Sequence, residues 1–309
     1  MKMEPSLHLE TKNWLKTSQG DDRGYIDAHA LKELWFHTGT RCNLSCPFCL
    51  EGSGPKEDRL PYLTLEEVSP LLKEAVELGC ERFSFTGGEP FLNREFIPIL
   101  KEALELAPCM ILTNATKPLQ LRFEELKSLA HHGKKLKFRV SLDHPTREKH
   151  DEGRGDGSFE DAIRGLKELQ KMGFDTSVAC QWPKGKDQGE LELEYREILK
   201  NKGCSDDLSF VFFPDFHPPG QKIDTPEITQ DCMTRYHDEK SREGFMCAFS
   251  RMVIKRPEGL RISACTLVDD DEQYDLSNGD LKQSMETRVT LGHHRCFSCF
   301  SCGASCSES

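Results

Sequence analysis

Short apolar runs alternate with longer amphipathic segments through the middle of the chain. The short runs predict strands over 34–37, 82–86, 110–113, 136–142, 176–181 and 208–213. Apolar residues at helical spacing predict helices over 65–78, 94–106, 123–132, 158–172 and 190–200. Thr64 and Glu67 form a capping-box pattern at the start of the first helix, and Gly133 and Gly173 are placed to end two others.

Strands that alternate with helices indicate an α/β fold in which right-handed crossovers build a parallel sheet. Six such units are too few for a closed eight-stranded barrel. They predict a partial (β/α)6 TIM-like barrel, which stays open on one side. In parallel α/β folds the chemistry lies at the carboxyl ends of the strands, so candidate residues are sought there.

The pattern divides the chain into four parts. Residues 1–32 form an N-terminal extension, 33–214 the core barrel, 215–245 a linker with a helical segment, and 246–309 a small cysteine-rich domain. The loop signal His217-Pro-Pro-Gly220 opens the linker, and 239–245 ends a helix. Weak strand signals at 252–255 and 260–263 lie in the last part.

Composition excludes several classes of protein. The net charge of −11 does not suit a protein that tracks nucleic acid, because such proteins carry a basic excess. No stretch approaches the roughly 20 apolar residues that a membrane span needs. The polar first 22 residues lack the apolar segment of a secretory signal. We therefore expect a cytoplasmic protein that binds neither nucleic acid nor membrane.

The chain has 14 cysteines, which in a cytoplasmic protein indicate metal-binding thiolates rather than disulfides. Their distribution supports this interpretation, since three are packed near the start and six lie near the end. The remaining five are scattered and are interpreted as small buried hydrophobes. These are Cys80, Cys109, Cys180, Cys204 and Cys232.

The first group has the spacing Cys42-x3-Cys46-x2-Cys49. Three thiolates on one short loop can ligate three irons of a cubane cluster, whereas iron–sulfur clusters normally take four cysteines. The fourth iron is then open to a substrate or cofactor. A structural zinc site needs a fourth Cys or His nearby, and none follows within ten residues, so zinc is the less favoured alternative.

This spacing, with Phe48 before the last cysteine, resembles the signature of the radical S-adenosylmethionine (SAM) superfamily. The resemblance implies a [4Fe–4S] cluster on Cys42, Cys46 and Cys49, whose free iron chelates SAM. It also implies a one-electron donor such as flavodoxin or ferredoxin. Reduction of SAM would give a 5′-deoxyadenosyl radical that abstracts hydrogen from a substrate, and this chemistry belongs to the cofactor.

Two later motifs extend the resemblance. Gly87-Gly88-Glu89-Pro90 follows the second strand and is similar to the family's GGEP motif, which implies that Gly87, Gly88 and Glu89 bind SAM and that Glu89 meets its amino group. Asn114 follows the third strand in a segment similar to the family's Thr-Asn-Gly, and is expected to bind the cofactor too. Ala115 stands where that motif usually has glycine.

The fourth strand ends in Ser141 and Asp143, which are expected to reach polar groups of SAM, including its ribose hydroxyls. The run from 141 to 159 resembles a subgroup that includes molybdenum-cofactor and peptide-maturation enzymes, with His144 in place of its usual glycine. Arg154 is placed to pair with the SAM carboxylate. A surface pair with Asp151 or Asp156 is an equal alternative, and His144 and His150 are expected to be hydrogen-bonding loop residues.

The second cysteine group is similar to the auxiliary-cluster extensions called twitch and SPASM domains. Its knuckle, C-x2-C-x2-C-x3-C, departs from the SPASM spacing, and six cysteines are enough for one cluster with two spare. We expect one auxiliary [4Fe–4S] cluster, with zinc as the minority alternative. Cys247 and Cys265 are the firmer ligands, and two of the last four complete the set. These four are Cys296, Cys299, Cys302 and Cys306.

Together the motifs predict a radical SAM enzyme, oxidative or bond-forming, that acts on a small molecule or a peptide. Two other classes stay open: a non-catalytic zinc or iron–sulfur protein, and a maturase that delivers a cluster. Both would use the cysteines. Neither explains why Glu89, Asn114 and Asp143 follow successive predicted strands.

Overall fold

The computed structural model describes residues 14–221, 223–303 and 306–307. Eleven strands occur in these ranges. They are β1 Tyr25–Ile26, β2 Glu33–His37, β3 Arg82–Thr86, β4 Cys109–Thr113, β5 Leu136–Ser141, β6 Asp175–Gln181, β7 Ser209–Phe213, β8 Ser250–Arg256, β9 Gly259–Ser263, β10 Asp275–Ser277 and β11 Val289–Thr290. Of the predicted extension 1–32, residues 1–13 lie outside the described residues.

Twelve α-helices and three short 3₁₀ helices occur in the same ranges. The α-helices are α1 Leu65–Glu77, α2 Phe96–Leu106, α3 Lys117–Gln120, α4 Phe123–Lys127, α5 Arg147–Arg154, α6 Ser158–Lys171, α7 Gln188–Asn201, α8 Gln230–Tyr236, α9 Glu239–Glu243, α10 Met246–Phe249, α11 Leu281–Glu286 and α12 His294–Cys302. The 3₁₀ helices are Pro90–Leu92, Ala130–Lys135 and Glu272–Tyr274. No described helix is both long and apolar enough to cross a bilayer.

All six predicted strands form, as β2 to β7, and they pair in parallel in chain order. This confirms the predicted α/β fold with a partial barrel. The capping box is present at α1, where Thr64 accepts from the Glu67 amide and Glu67 accepts from the Thr64 amide. The predicted helix 123–132 is wrong in its second half, because α4 ends at Lys127 and Gly133 takes a non-helical φ of 54° in the 3₁₀ segment that follows.

The cysteine-rich region continues the same sheet. Strand β8 pairs in parallel with β2, and β9 and β10 follow it in antiparallel register, so the sheet order is β10-β9-β8-β2-β3-β4-β5-β6-β7. The part of the chain predicted as a separate domain from 246 onward therefore adds its strands to the barrel sheet. The division into a core and an auxiliary domain stays a prediction about function.

Alternating side chains of the strands enter two apolar cores. Leu34 and Phe36 of β2 pack in the core between the sheet and its outer helices. Trp35, on the opposite face of β2, packs with Met252 in a second core that includes the cysteine-rich region. The inner face of the sheet is therefore covered by the C-terminal part of the chain, which brings the second cysteine group towards the first.

Candidate active site

The first cysteine group lies in the loop after β2, at the carboxyl end of that strand. Backbone amides are directed at two of the three sulfurs: the Leu44 N–H donates to Cys42 Sγ at 3.4 Å, and the Ser53 N–H to Cys49 Sγ at 3.4 Å. Amide donors of this kind stabilise a sulfur that carries negative charge. The loop therefore fits thiolates that ligate a metal centre.

Burial raises the pKa of Cys42 to about 12 and that of Cys46 to about 11, and it also raises the pKa of Cys49. Without a partner these thiols stay protonated at neutral pH. A cationic iron centre supplies the positive charge that makes the thiolate forms favourable. The donor set thus fits a metal group rather than a free reactive cysteine.

The spacing of the sulfurs argues against zinc. Zinc–sulfur bonds of about 2.3 Å place the sulfurs of a tetrahedral site about 3.8 Å apart. Among the described residues, the only three ligand-type side chains whose donor atoms all lie within 4.8 Å of one another are His37, Glu51 and Asp269. Neither cysteine group is packed for a single ion, whereas a four-iron cubane requires wider spacing.

Gly87 and Gly88 bring the end of β3 against the cysteine loop. The Gly88 N–H donates to the Gly39 carbonyl at 2.8 Å, and the Glu89 N–H to the Arg41 carbonyl at 3.0 Å. A Cβ on Gly88 would lie 2.2 Å from the Arg41 carbonyl oxygen, and Gly87 has a φ of 132°. Both positions therefore need glycine to fix the loop, and both also line the cavity described below.

The Glu89 side chain is fully buried and lies behind the cavity wall. Its carboxylate accepts from the Thr113 hydroxyl at 2.9 Å, the Asn114 N–H at 2.9 Å and the Phe91 N–H at 3.3 Å. Burial raises the pKa of Glu89 to about 7, although these donors oppose the shift. The structure therefore gives Glu89 a role that the motif did not predict, which is to hold the ends of β3 and β4 together. Its contact with SAM stays a prediction.

We expect Glu89→Gln to lower the free energy of unfolding by about 1–3 kcal/mol, because the new amide points its own N–H groups at donors. SAM binding should weaken in parallel. Thermal unfolding and equilibrium dialysis with SAM measure the two effects. Glu81→Gln is the control, since Glu81 is exposed at the other end of β3. Equal stability of the two variants would contradict this role.

Asn114 extends from the end of β4 to the cysteine loop. Its Nδ2 lies 3.7 Å from Cys42 Sγ and 3.1 Å from the Asn43 side-chain oxygen. Ala115 has a φ of 55°, which lies in the left-handed region that favours glycine, the usual residue at this position of the motif. The substitution therefore keeps the backbone geometry of the motif at a local energetic cost.

Arg154 forms a two-pronged ion pair with Asp143, with Nη2 at 2.9 Å from Oδ1 and Nε bonded to Oδ2. Asp151 instead caps α6 by accepting from the Phe159 amide at 2.8 Å. The alternative pair of Arg154 with Asp151 or Asp156 is therefore wrong. The guanidinium also lies 5.8 Å from the centre of the Phe48 ring, so the signature aromatic residue packs against this pair.

These residues surround a cavity of about 210 Å³ at the carboxyl ends of the strands. The predicted residues that line it are Cys42, Cys46, Phe48, Cys49, Gly87, Gly88, Asn114, Ser141, Asp143 and Arg154. Cys306, predicted as an auxiliary ligand, lines it as well. A single cavity thus collects the three thiols and side chains from four strand ends.

The family model of the radical SAM superfamily matches residues 36–185. These residues form a radical SAM domain. A [4Fe–4S] cluster and SAM are the cofactors of that family, which confirms the cofactors predicted from the motifs.

Relatives of the radical SAM domain include GTP 3′,8-cyclases. That of Peptoclostridium acidaminophilum is 32% identical over 135 residues, which cover 43% of this chain and 41% of that protein. That of Haemophilus influenzae is 28% identical over 197 residues, covering 59% and 56%. The chain thus matches only about half the length of these relatives.

Among solved structures, Streptococcus suis SuiB bound to the precursor peptide SuiA aligns with a TM-score of 0.62 at 17% identity. The alignment covers 84% of this chain and 65% of that one. At this identity the likeness shows the fold alone. It extends beyond the radical SAM domain into the region that carries the second cysteine group.

Four cysteines of the second group lie close together beside the radical SAM domain. Burial raises the pKa of Cys247 and Cys265 well above the ordinary range, and Cys296 and Cys299 raise both further. Burial also raises the pKa of Cys296 to about 11 and that of Cys299 to about 12. Cys247 and Cys296 are buried, Cys265 and Cys299 are half-buried, and the four thiols form one compact donor set.

The last two predicted ligands lie differently. Cys302 is exposed, and its thiol donates to the Ser298 carbonyl at 3.0 Å. Cys306 is buried and lines the cavity of the radical SAM domain. Both nevertheless lie near enough to Cys299 to raise its pKa further, and their ligation stays a prediction.

Several cavity residues and one buried cluster were not predicted from the sequence. Cys180, interpreted as a core hydrophobe, lines the cavity, as do Gln181 and Asp215. Glu51, two residues after Cys49, lines it too and lies 2.7 Å from His37 Nε2. Gln181 is the last residue of a predicted strand and Asp215 lies two residues after the next, and these positions at strand ends were an available signal.

The buried group of His37, Glu51 and Asp269 is not built for a metal ion. His37 Nδ1 accepts the Gly39 N–H at 3.2 Å, so its proton is on Nε2 and is donated to Glu51. A metal at Nε2 would need the opposite tautomer. Arg59 also lies 2.6 Å from Asp269, where it already supplies positive charge.

The expected hydrogen-bonding role of His144 is supported, since its Nδ1 accepts from the Thr146 amide at 3.2 Å. For His150 the expectation is wrong. Its ring packs edge-on against Phe159 at 5.7 Å, and neither ring nitrogen has a partner within the part of the chain that the structure describes. Burial lowers the pKa of His150 to about 4.

This predicts a pH effect on stability. The unfolded chain binds a proton at His150 near pH 6.5, while the folded chain does not until about pH 4. Stability is therefore lost as the pH falls through this window, by about 1.4 kcal/mol between pH 7.5 and 5.5. His150→Leu should lose less stability than the wild type by that amount, as measured by urea unfolding at both pH values. An identical loss in both proteins would contradict the assignment.

Proposed function

We propose that the chain is a radical SAM enzyme with one auxiliary [4Fe–4S] cluster, which carries out an oxidative or bond-forming reaction on a small molecule or peptide. The observation that supports this most is the shared cavity, where Cys42, Cys46 and Cys49 face the ends of successive parallel strands. The neighbouring set of four thiols, Cys247, Cys265, Cys296 and Cys299, supports the second cluster.

When bound, the cluster and SAM supply a 5′-deoxyadenosyl radical that removes a hydrogen atom from the substrate. The residues of the chain hold and orient the reactants. The thiolates of Cys42, Cys46 and Cys49 would ligate three irons of the cluster, and the fourth iron would be left for SAM. Asp143, fixed by Arg154, presents a carboxylate to the cavity, where it would accept charge-assisted hydrogen bonds from SAM hydroxyls without reorganisation.

The substrate is proposed from the charge of the cavity wall. Among the described lining side chains Arg154 is the only Arg or Lys, and it is already paired with Asp143. Glu51 and Asp215 add carboxylates. A nucleoside triphosphate requires several cationic partners for its phosphates. We therefore favour a neutral or cationic small molecule or peptide over GTP, although the relatives are named for GTP.

The test is anaerobic reconstitution with iron and sulfide, followed by reduction in the presence of SAM. We expect release of 5′-deoxyadenosine that depends on a one-electron donor, either dithionite or flavodoxin or ferredoxin. GTP should not increase the release. A chain that holds iron but never cleaves SAM, and passes its cluster to an apo-protein, would instead support the maturase alternative and contradict the proposal.

A further inference from the structure

Arg295 is a fully buried arginine whose five N–H groups all have acceptors. Its side chain is 0% exposed and directly precedes Cys296 in the chain. The acceptors are the Phe216 carbonyl at 3.0 Å, the Leu267 carbonyl at 2.9 Å, Asp270 Oδ1 at 3.0 Å, the Leu50 carbonyl at 3.3 Å and the His217 carbonyl at 2.8 Å. Arginine is the only type of side chain that offers five N–H donors in a fixed plane.

The acceptors belong to three separate segments. Leu50 directly follows Cys49 in the first cysteine loop, and Leu267 lies two residues after Cys265 of the second group. Phe216 belongs to the wall of the shared cavity. One guanidinium therefore connects the loop that carries the first cluster, the loop that carries the second, and the wall between them.

We propose that Arg295 is a positioning residue that fixes the auxiliary cluster relative to the radical SAM cluster and to the substrate cavity. This rests on the proposed function, because it requires two clusters. Electron exchange and substrate orientation both depend on these distances, and a misplacement of about 1 Å can cost on the order of 100-fold in rate.

The backbone beside Arg295 supports a positioning role. His217 has a φ of 60°, a left-handed conformation that is rare for a residue other than glycine. Its carbonyl is held by the shorter of the two Nη2 hydrogen bonds of Arg295. Such a conformation persists only where surrounding contacts impose it. Removing the Arg295 guanidinium, whose hydrogen bonds form a fork, should therefore relax both the cavity wall and the first cysteine loop.

Arg295→Lys is the test variant, since lysine keeps the charge but has three donors for five acceptors. Arg251→Lys is the matched control. Arg251 is also buried beside the second cysteine group, but in the described part of the chain it bonds only the carbonyls of Cys247, Ser250 and Ser284. It stabilises the auxiliary region without contacting the first cluster loop.

The first measurement is electron paramagnetic resonance of the fully reduced proteins, each with both clusters loaded. Two paramagnetic clusters at a fixed separation broaden each other's signals and speed each other's relaxation. We expect Arg295→Lys to lose or alter this mutual effect and Arg251→Lys to retain it. An unchanged interaction in Arg295→Lys would overturn the proposal.

The second measurement is amide hydrogen exchange, which needs no cluster and therefore decides the matter even if a variant fails to load iron. We expect exchange in Arg295→Lys to rise about tenfold in both 50–54 and 215–221, because these segments open together once the fork is lost. A rise confined to 291–303 would overturn the proposal. A wild-type protein without two cluster signals would contradict the proposed function instead, which keeps the two failures distinct.

Discussion

Replacing Cys46 by alanine should remove the first cluster and abolish SAM cleavage. Two thiols are too few to hold a cubane, and the burial that raises the pKa of Cys42 and Cys49 disfavours their thiolate forms. The iron content should fall from about eight per chain to about four, given four irons per cubane. Iron analysis and 5′-deoxyadenosine release measure both losses.

Cys204→Ala is the matched control for this variant. Cys204 is likewise buried with a raised pKa of about 11, but it lies after α7, away from both cysteine groups. It should keep all the iron and the full rate of SAM cleavage. If Cys46→Ala kept iron and cleavage at the level of Cys204→Ala, the first cysteine loop would not be a cluster site.

The second large effect is expected at the auxiliary site. Cys296→Ala should lower the iron content from about eight to about four while leaving reductive SAM cleavage in place, because one full cluster depends on four thiolates. Cys302→Ala should keep about eight irons, since Cys302 is exposed and bonded to its own helix. The two cysteines lie on the same helix, six residues apart, so the pair isolates ligation from effects on folding.

The opposite pattern, with iron lost in Cys302→Ala and kept in Cys296→Ala, would show that the compact donor set is misassigned. A third variant, Cys306→Ala, tests whether the remaining cysteine of the second group is a ligand. Because Cys306 lines the cavity of the radical SAM domain, its loss should leave the iron content unchanged and alter only steps that involve bound substrate.

Much of the site could be predicted because its signals are local in sequence. The three cysteines of the first group lie within eight residues, and the alternation of strands and helices places each later motif at a strand end. Parallel pairing then brings those ends together, as Gly88 and Asn114 demonstrate by contacting the cysteine loop. Local motifs joined by a regular topology are therefore sufficient to predict the wall of the cavity.

The rest depends on contacts between distant segments, for which the sequence carries no local signal. Arg295 bonds to Leu50, 245 positions away, and Arg59 bonds to Asp269, 210 positions away. Glu89 holds the ends of β3 and β4 together because its buried carboxylate meets donors from β4, and a glutamate in the sequence does not reveal this. The same holds for His150, whose ring packs against Phe159 and whose ring nitrogens have no partner among the described residues.

The central claim is that one iron of the first cluster stays open for SAM. The most direct test is electron paramagnetic resonance of a reduced variant in which the four auxiliary cysteines, 247, 265, 296 and 299, are replaced by alanine. This variant should hold one cluster, and added SAM should change its spectrum, because the cofactor binds the free iron. A reduced cluster whose spectrum is the same with and without SAM would contradict the account.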